Sequence, residues 1–364
     1  MSSKIVHKAV IPIAGLGTRH FPASHAVKKE LFPVVGADGI ARALFHYHLL
    51  ELEAAGIGEI CIITQPGEDE MVKRYLRGPD DNYLKRLEKY PALLREAEQM
   101  RGFAKRVSFA VQHQQEGYGH AVFQTKEFAA GEMVLLGLGD HLFRASKRAS
   151  GVSPEDQTSV SSAGGTHGST LMVSPYQELA DMAKVSDGKS VSAVNRISAG
   201  ELKGYGTIAG KRRAEHSGIG SISKLVGRAS PRADVSQTVL AAREDARPTK
   251  LSHGQDFRLI DVSLIIEKPT VAVAQEKLRV DGLPAGTWLG WFGMHLLAPS
   301  IYDILGEMIR DNIRDNGEFQ LTRAQEIQRQ RHGYLALEMT GAQRFDFGVP
   351  DDFVASVQAF RHSP

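Results

Sequence analysis

Residues 8–33 read KAVIPIAGLGTRHFPASHAVKKELFP. The apolar run Lys8 to Ala14 ends in glycine, which predicts a buried strand delivering the chain into a loop. Gly15, Gly17 and Thr18 come next, with side chains small enough to let backbone N–H groups approach phosphate oxygens closely. Two cations, Arg19 and Lys29, stand ten residues apart in this loop. An arginine fork and a lysine point charge, with few acids beside them, suit a triphosphate or a pyrophosphate. The pattern is not the dinucleotide fingerprint, because His20 fills the position of the third glycine. Nor is it a Walker A loop, since no Gly-Lys-Ser/Thr follows. Taken alone, the glycine turn fits a merely structural turn equally well; Arg19 and Lys29 shift that balance, and the alternative they leave is a solvated basic loop.

Working outward, Ile40 to Ala55 predicts an amphipathic helix stopped by Gly56, and Glu59 to Thr64 a second strand. Val107 to Gln112 and Met133 to Leu138 predict further strands, with a helix over Gly119 to Ala129 between them. Such alternation predicts an α/β fold, a largely parallel sheet with helices on both faces and ligands beyond the carboxyl ends of the strands. Leu259 to Pro269 alternates like a strand, and a glycine and aromatic segment, GTWLGWFGMHLL, follows at 286–297. Helices are predicted over Ser300 to Asn312, Gln320 to Arg331 and Pro350 to His362. Two polar stretches, 144–170 and 211–255, read as insertions or mobile surface loops, the second with a candidate hairpin over Ile219 to Val226.

With 364 residues and 42% hydrophobic content, the chain can bury a sizeable core, read here as one large domain. A net charge of +2 gives no strong global field and no support for nucleic-acid or membrane binding. The single cysteine, Cys61, lies in an apolar run and reads as a small buried hydrophobe. The chain carries no signal-peptide pattern and no bilayer-length apolar run, so a soluble, cytoplasmic protein is expected.

Further motifs carry chemistry. In EGYGHAV, Gly117 and Gly119 open a helix at His120, whose N-terminal N–H groups could meet a base or a phosphate; His120 is equally an ordinary helix-start residue. LLGLGD places Asp140 just past a buried strand, as a magnesium ligand or as a turn cap. In IIEKP, Glu267 could accept sugar hydroxyls and Lys268 could hold a phosphate, although an exposed ion pair has the same sequence. Asp346, in RFDFGVP, is a second acid at a strand end and a candidate for the same metal.

The ordered set AGLGTR, P-x-S-x-x-x-K-K-E-L-F-P, EGYGHAV, LGD, EKP, GEFQLT and FDFG resembles the bacterial UTP–glucose-1-phosphate uridylyltransferases, within the sugar-1-phosphate nucleotidyltransferase family. The resemblance runs from Ile5 to about Phe360. It implies a Rossmann-like nucleotidyltransferase fold with a mixed, mostly parallel central sheet, interrupted by the polar insertions. It implies UDP-glucose and pyrophosphate formed from UTP and glucose 1-phosphate with Mg²⁺, in a homo-oligomer. On this resemblance the loop Ala14, Gly15, Leu16, Gly17 and Thr18 holds the nucleotide, with Ala14 and Gly15 meeting the uracil. Gln112 and Gly117 complete the base pocket, beside Gly119 and His120. Arg19 and Lys29 grip the triphosphate, and Asp140 and Asp346 bind the metal. Gly206, Glu267 and Gly293 fall on the sugar side, within a part running over 257–364, and Lys268 holds the sugar phosphate.

The sequence also departs from the family. Relatives usually carry lysine where this chain has His25 and proline where it has Lys28. Leu-Gly-Asp followed by His-Leu-Phe is closer to adenylyl and thymidylyl branches. Enzymes making dTDP-, ADP- or GDP-sugars, and a non-catalytic sugar-nucleotide-binding paralogue, therefore stay open as alternatives. A nicotinamide oxidoreductase is disfavoured by the absent third glycine.

Overall fold

The computed structural model describes residues 5–145, 174–213 and 258–362. Its strands are β1 (Lys8–Pro12), β2 (Pro33–Val35), β3 (Ala41–Ala43), β4 (Glu59–Thr64), β5 (Val107–Val111), β6 (Val134–Gly137), β7 (His141–Ala145), β8 (Val191–Ser198), β9 (Thr207–Arg212), β10 (Leu259–Ile266), β11 (Thr287–Leu297), β12 (Leu335–Glu338) and β13 (Ala342–Asp346). Nine of them form one sheet in the order β5-β4-β1-β6-β11-β8-β12-β10-β9. The β1–β4, β1–β6, β4–β5 and β8–β12 pairings are parallel. Those of β11 with β6 and β8, and of β10 with β12 and β9, are antiparallel. Only β10 and β11 therefore run against the rest, and the mixed, mostly parallel sheet is borne out.

Period-two alternation sends each strand's side chains to opposite faces, and both faces are covered by helices. Ala9, Ile11, Ile60, Ile62 and Leu135 pack with Phe45, Leu49, Val72 and Phe103 on one side. Val10, Cys61, Ile63 and Leu136 pack with Val122, Ile304, Leu305 and Ala324 on the other. Cys61 is buried and its thiol pushed up to about 11 by desolvation, as expected of a small core hydrophobe.

Two predicted helices differ in detail. The helix expected from Ile40 begins at Leu44, because Ala41–Ala43 pairs with Pro33–Val35 instead. The helix expected over Gly119 to Ala129 is two pieces, Tyr118–Phe123 and Lys126–Ala129. Thr125 lies at the break, where its hydroxyl donates to the Val122 carbonyl at 2.8 Å and contacts Tyr302 Oη at 3.0 Å, offering the chain an alternative to helix. The strand Thr287–Leu297 runs through the whole aromatic segment. Most of the two polar stretches, including the hairpin expected over Ile219 to Val226, lies outside the described residues.

A second, two-stranded sheet bears on the site. β7 pairs antiparallel with β13, setting Asp346 opposite His141. It thereby brings the region after β6 and a segment some 200 residues later to one place.

Candidate active site

The site grows from the carboxyl ends of β1, β4, β5 and β6. After β1 the chain turns at Gly17, whose φ of 65° favours glycine, into a short 3-10 turn over Thr18–His20. The backbone N–H groups of Gly15, Leu16 and Gly17 donate to no acceptor among the described residues. Three successive free donors in a loop make an anion-binding concavity. His20 closes the loop from behind. It is buried, its Nε2 lies 3.0 Å from the Phe347 carbonyl oxygen, and its ring meets Phe32 and Phe353 edge-on.

Asp140 follows β6 through Gly139, where a Cβ would fall 2.3 Å from the Pro12 carbonyl oxygen. Only glycine lets the Asp140 turn lie this close to the end of β1. Lys29 Nζ donates to Asp140 Oδ2 at 2.5 Å and lies 3.6 Å from Glu30 Oε1. His141 bridges the two acids, with Nδ1 2.9 Å from Asp140 Oδ1 and Nε2 3.3 Å from Asp346 Oδ2. Asp346 Oδ1 accepts the Gly348 N–H at 2.7 Å. A Cβ placed on Gly348 would lie 3.0 Å from Asp346 Oδ1, 3.1 Å from Asp140 Oδ2 and 3.3 Å from Arg19 Nη2. Arg19, Lys29, Asp140 and Asp346 therefore converge on one spot.

The electrostatics of this cluster follow from pairing against burial. Burial opposes charge on Asp140, yet His141 and Lys29 hold its carboxyl far below the usual range. Asp346 is likewise lowered, burial being outweighed by His141 and the Gly348 N–H. Burial works against charged His141 too, but the two carboxylates raise it to about 8. Glu30 behaves oppositely: desolvation pushes it up to about 7 against the pull of Lys29.

Beside the loop, Gln112 is buried and its Nε2 donates to the Gly117 carbonyl at 3.1 Å. Gly117, at φ 111°, and Gly119 fit tightly under the 317–322 segment. The Gly119 N–H donates to Phe319 O and the Phe319 N–H to Glu116 O, both at 2.8 Å. The Gly119 donor is thus spent inside the protein and is not open to a ligand as a free helix end. His120 is also engaged, its Nδ1 3.1 Å from Gln114 O and its Nε2 3.2 Å from Gln124 Nε2.

On the other side, Gly206, Glu267 and Trp291 meet. A Cβ on Gly206 would lie 2.6 Å from Trp291 Nε1 and 2.9 Å from Glu267 Oε2. Glu267 Oε2 accepts from Thr322 Oγ1 at 2.6 Å. Lys268 holds a left-handed φ of 45°, and its side chain is 59% exposed with Nζ 3.8 Å from Glu267 Oε1. Gly293, at φ 102°, sits buried in β11 where the register with β8 shifts, against Leu138 and Phe143. Its positive φ accommodates the β-bulge in this strand.

Several residues of this region escaped the sequence reading. His141 is the bridge between the acids, yet only the long-range β7–β13 pairing reveals it. Arg344 donates through Nη1 to the Trp291 carbonyl at 3.1 Å and stacks 4.3 Å over the Tyr205 ring, linking the Gly206 side to the strand that carries Asp346. Its signal was available, since Arg344 and Asp346 are two apart and share a strand face. Among the described residues no three or more His, Cys, Asp or Glu side chains are arranged so that together they could hold a metal ion.

A glycine loop with free N–H groups, two cations and two ionised acids thus gather at the carboxyl edge of a mixed sheet, where α/β domains bind their ligands. Residues 8–153 match the nucleotidyl transferase family model. A UTP–glucose-1-phosphate uridylyltransferase of Staphylococcus saprophyticus is 24% identical over 98% of this chain and 92% of its own length. Another from Bacillus subtilis is 33% identical over 38% of this chain, a match spanning only 45% of that relative. Among solved structures, a UDP-glucose pyrophosphorylase complexed with UDP-glucose superposes with a TM-score of 0.63 at 19% identity, covering 98% of both chains.

Proposed function

We propose that this protein is a UTP–glucose-1-phosphate uridylyltransferase. The observation that carries the reading is the convergence of Arg19, Lys29, Asp140 and Asp346 beside a loop of unpaired backbone donors. In the reaction, a phosphate oxygen of glucose 1-phosphate attacks the α-phosphorus of UTP in line. The bond from that phosphorus to the bridging oxygen breaks, and pyrophosphate leaves. No protein nucleophile is required, so the protein's work is to position two polyanions that repel each other.

The free N–H groups and Arg19 receive the triphosphate, with Lys29 exchanging its carboxylate for phosphate oxygen. Gln112 and the Ala14–Gly15 backbone face the base. Glu267 accepts from sugar hydroxyls, and the exposed ammonium of Lys268 reaches the attacking phosphate.

The acids fit a divalent cation, magnesium in this reading. Both stay ionised, and Asp140 Oδ2 already accepts a hydrogen bond from the Lys29 ammonium. Two carboxylates with substrate phosphates and water complete the shell that Mg²⁺ prefers. When bound, such an ion supplies neutralisation of charge building on the phosphoryl oxygens.

The test is pyrophosphate release with UTP, dTTP, ATP and GTP, each against glucose 1-phosphate and Mg²⁺. UTP is expected to be turned over fastest. Preference for another triphosphate would move the protein to that branch, and tight UDP-glucose binding without release by any pair would mark a non-catalytic paralogue.

A further inference from the structure

Two adjacent lysines in the nucleotide loop point to different places. Lys29 reaches Asp140, whereas Lys28, only 6% exposed, turns back to the start of the loop. Its Nζ donates to the Gly15 carbonyl at 2.8 Å and pairs with Glu68 Oε2 at 2.7 Å. Glu68 Oε2 also accepts the Gln65 N–H at 3.1 Å, immediately after β4. One buried ammonium thus ties the first peptide of the loop to the end of the neighbouring strand. Burial of an ammonium is costly unless it is paired, so the contact is not incidental.

The consequence is directional. In a planar trans peptide the C=O and N–H point opposite ways. Holding the Gly15 carbonyl toward Lys28 turns the Leu16 N–H away from it. That N–H has no acceptor among the described residues, and the side of Gly15 where a Cβ would stand is open, with nothing within 4 Å. We propose that Lys28 and Glu68 form a positioning brace that fixes the Gly15–Leu16 peptide so that its N–H is presented to the nucleoside triphosphate. The inference rests on the uridylyltransferase reading and concerns only its nucleotide half.

The local backbone provides an unusually clean variant. Lys28 has φ −54° and ψ 138°, Val27 before it has φ −152° and ψ 143°, and the Lys28 N–H donates to no acceptor among the described residues. All three conditions suit proline. Lys28→Pro therefore deletes the brace while keeping the chain path, and Lys28→Met deletes only the charge.

Calorimetric titration of UTP with Mg²⁺ into wild type, Lys28→Pro, Lys28→Met and Glu68→Gln tests this, with KM for each substrate and a thermal melt alongside. Both Lys28 variants are expected to bind UTP about tenfold more weakly, the usual effect of losing one charge-assisted contact. Glu68→Gln is expected to lose less, because the ammonium keeps Gly15. KM for glucose 1-phosphate should stay near wild type, while each variant unpairs a largely buried charge and should lower the melt modestly. Unchanged UTP affinity in both Lys28 variants would overturn the brace. So would equal weakening of both substrates, the mark of general loosening. If wild type binds UTP yet releases no pyrophosphate, the catalytic reading fails alone and the titration still judges the brace; if wild type binds no UTP, both fall.

Discussion

Lys29→Met separates the structural from the chemical work of the central ion pair. The substitution keeps the length and apolar stem of a side chain that is 10% exposed and removes the ammonium 2.5 Å from Asp140 Oδ2. Asp140 is not orphaned, because His141 still holds its other oxygen at 2.9 Å. The stability cost should therefore fall below that of stranding a buried charge, at about 1–3 kcal/mol. The catalytic cost should be larger. Removing one preorganised contact to developing charge costs about 10²–10³ in rate, or about 3–4 kcal/mol. Pyrophosphate release at saturating UTP and glucose 1-phosphate reads the second quantity, and a denaturant or thermal melt the first. The double variant Lys29→Met with Asp140→Asn decides between causes. It removes both charges, so stability should recover toward wild type. Turnover should stay at or below that of the single variant. If Lys29→Met kept a rate within about tenfold of wild type, or if turnover recovered together with stability in the double variant, the ion pair would be a strut and Lys29 would have no part in the reaction.

Other outcomes follow from the same coordinates. Gly206→Ala places a methyl 2.6 Å from the Trp291 indole; KM for glucose 1-phosphate should rise while UTP affinity holds, and a shift confined to UTP would contradict the two-sided site. Gly119→Ala drives a Cβ to 2.7 Å from the Phe319 carbonyl and 2.9 Å from Leu305, costing about 1–3 kcal/mol; an unaltered melt would show that the 317–322 segment is not packed as described. Glu30, at about 7 when folded against an ordinary 4.5, holds a proton that the unfolded chain has released. The stability this gives is complete below pH 4.5 and is lost as pH rises through 7, by about 3 kcal/mol in all. Glu30→Gln should accordingly raise the melting temperature more at pH 8 than at pH 5, and an equal shift at both would refute the raised carboxyl.

The first half of the sheet was legible because its signals are local. β1, β4, β5 and β6 are short apolar runs bounded by glycine or polar turns, and their ends fall within one or two residues of expectation. β3 was lost inside a helix prediction because Ala41–Ala43 adds apolar residues in phase with the helix that follows, and only pairing with Pro33–Val35 makes it a strand. β7 left no trace for the same reason, being defined by a partner some 200 residues distant, and of β13 the sequence indicated only its end at Asp346.

The site divides along the same line. Residue type and position past a strand end suffice to single out Arg19, Lys29, Asp140 and Asp346, because a polyanion needs cations and a cation needs acids wherever the sheet edge places them. What the chain could not disclose is which charge answers which. Lys28 and Lys29 are indistinguishable as neighbours in a row, yet one is committed to a main-chain carbonyl and Glu68, the other to Asp140. The difference arises from the extended Lys28 backbone, which turns consecutive side chains to opposite sides just before a 3-10 turn. Of two equal charges, the one sent inward becomes framework and only the other stays available to exchange its carboxylate for a ligand. Substituting the two lysines should therefore give different kinetic signatures, weakened UTP binding for Lys28 and lost turnover for Lys29; identical signatures would mean that the loop responds to its total charge and not to where each charge is tied.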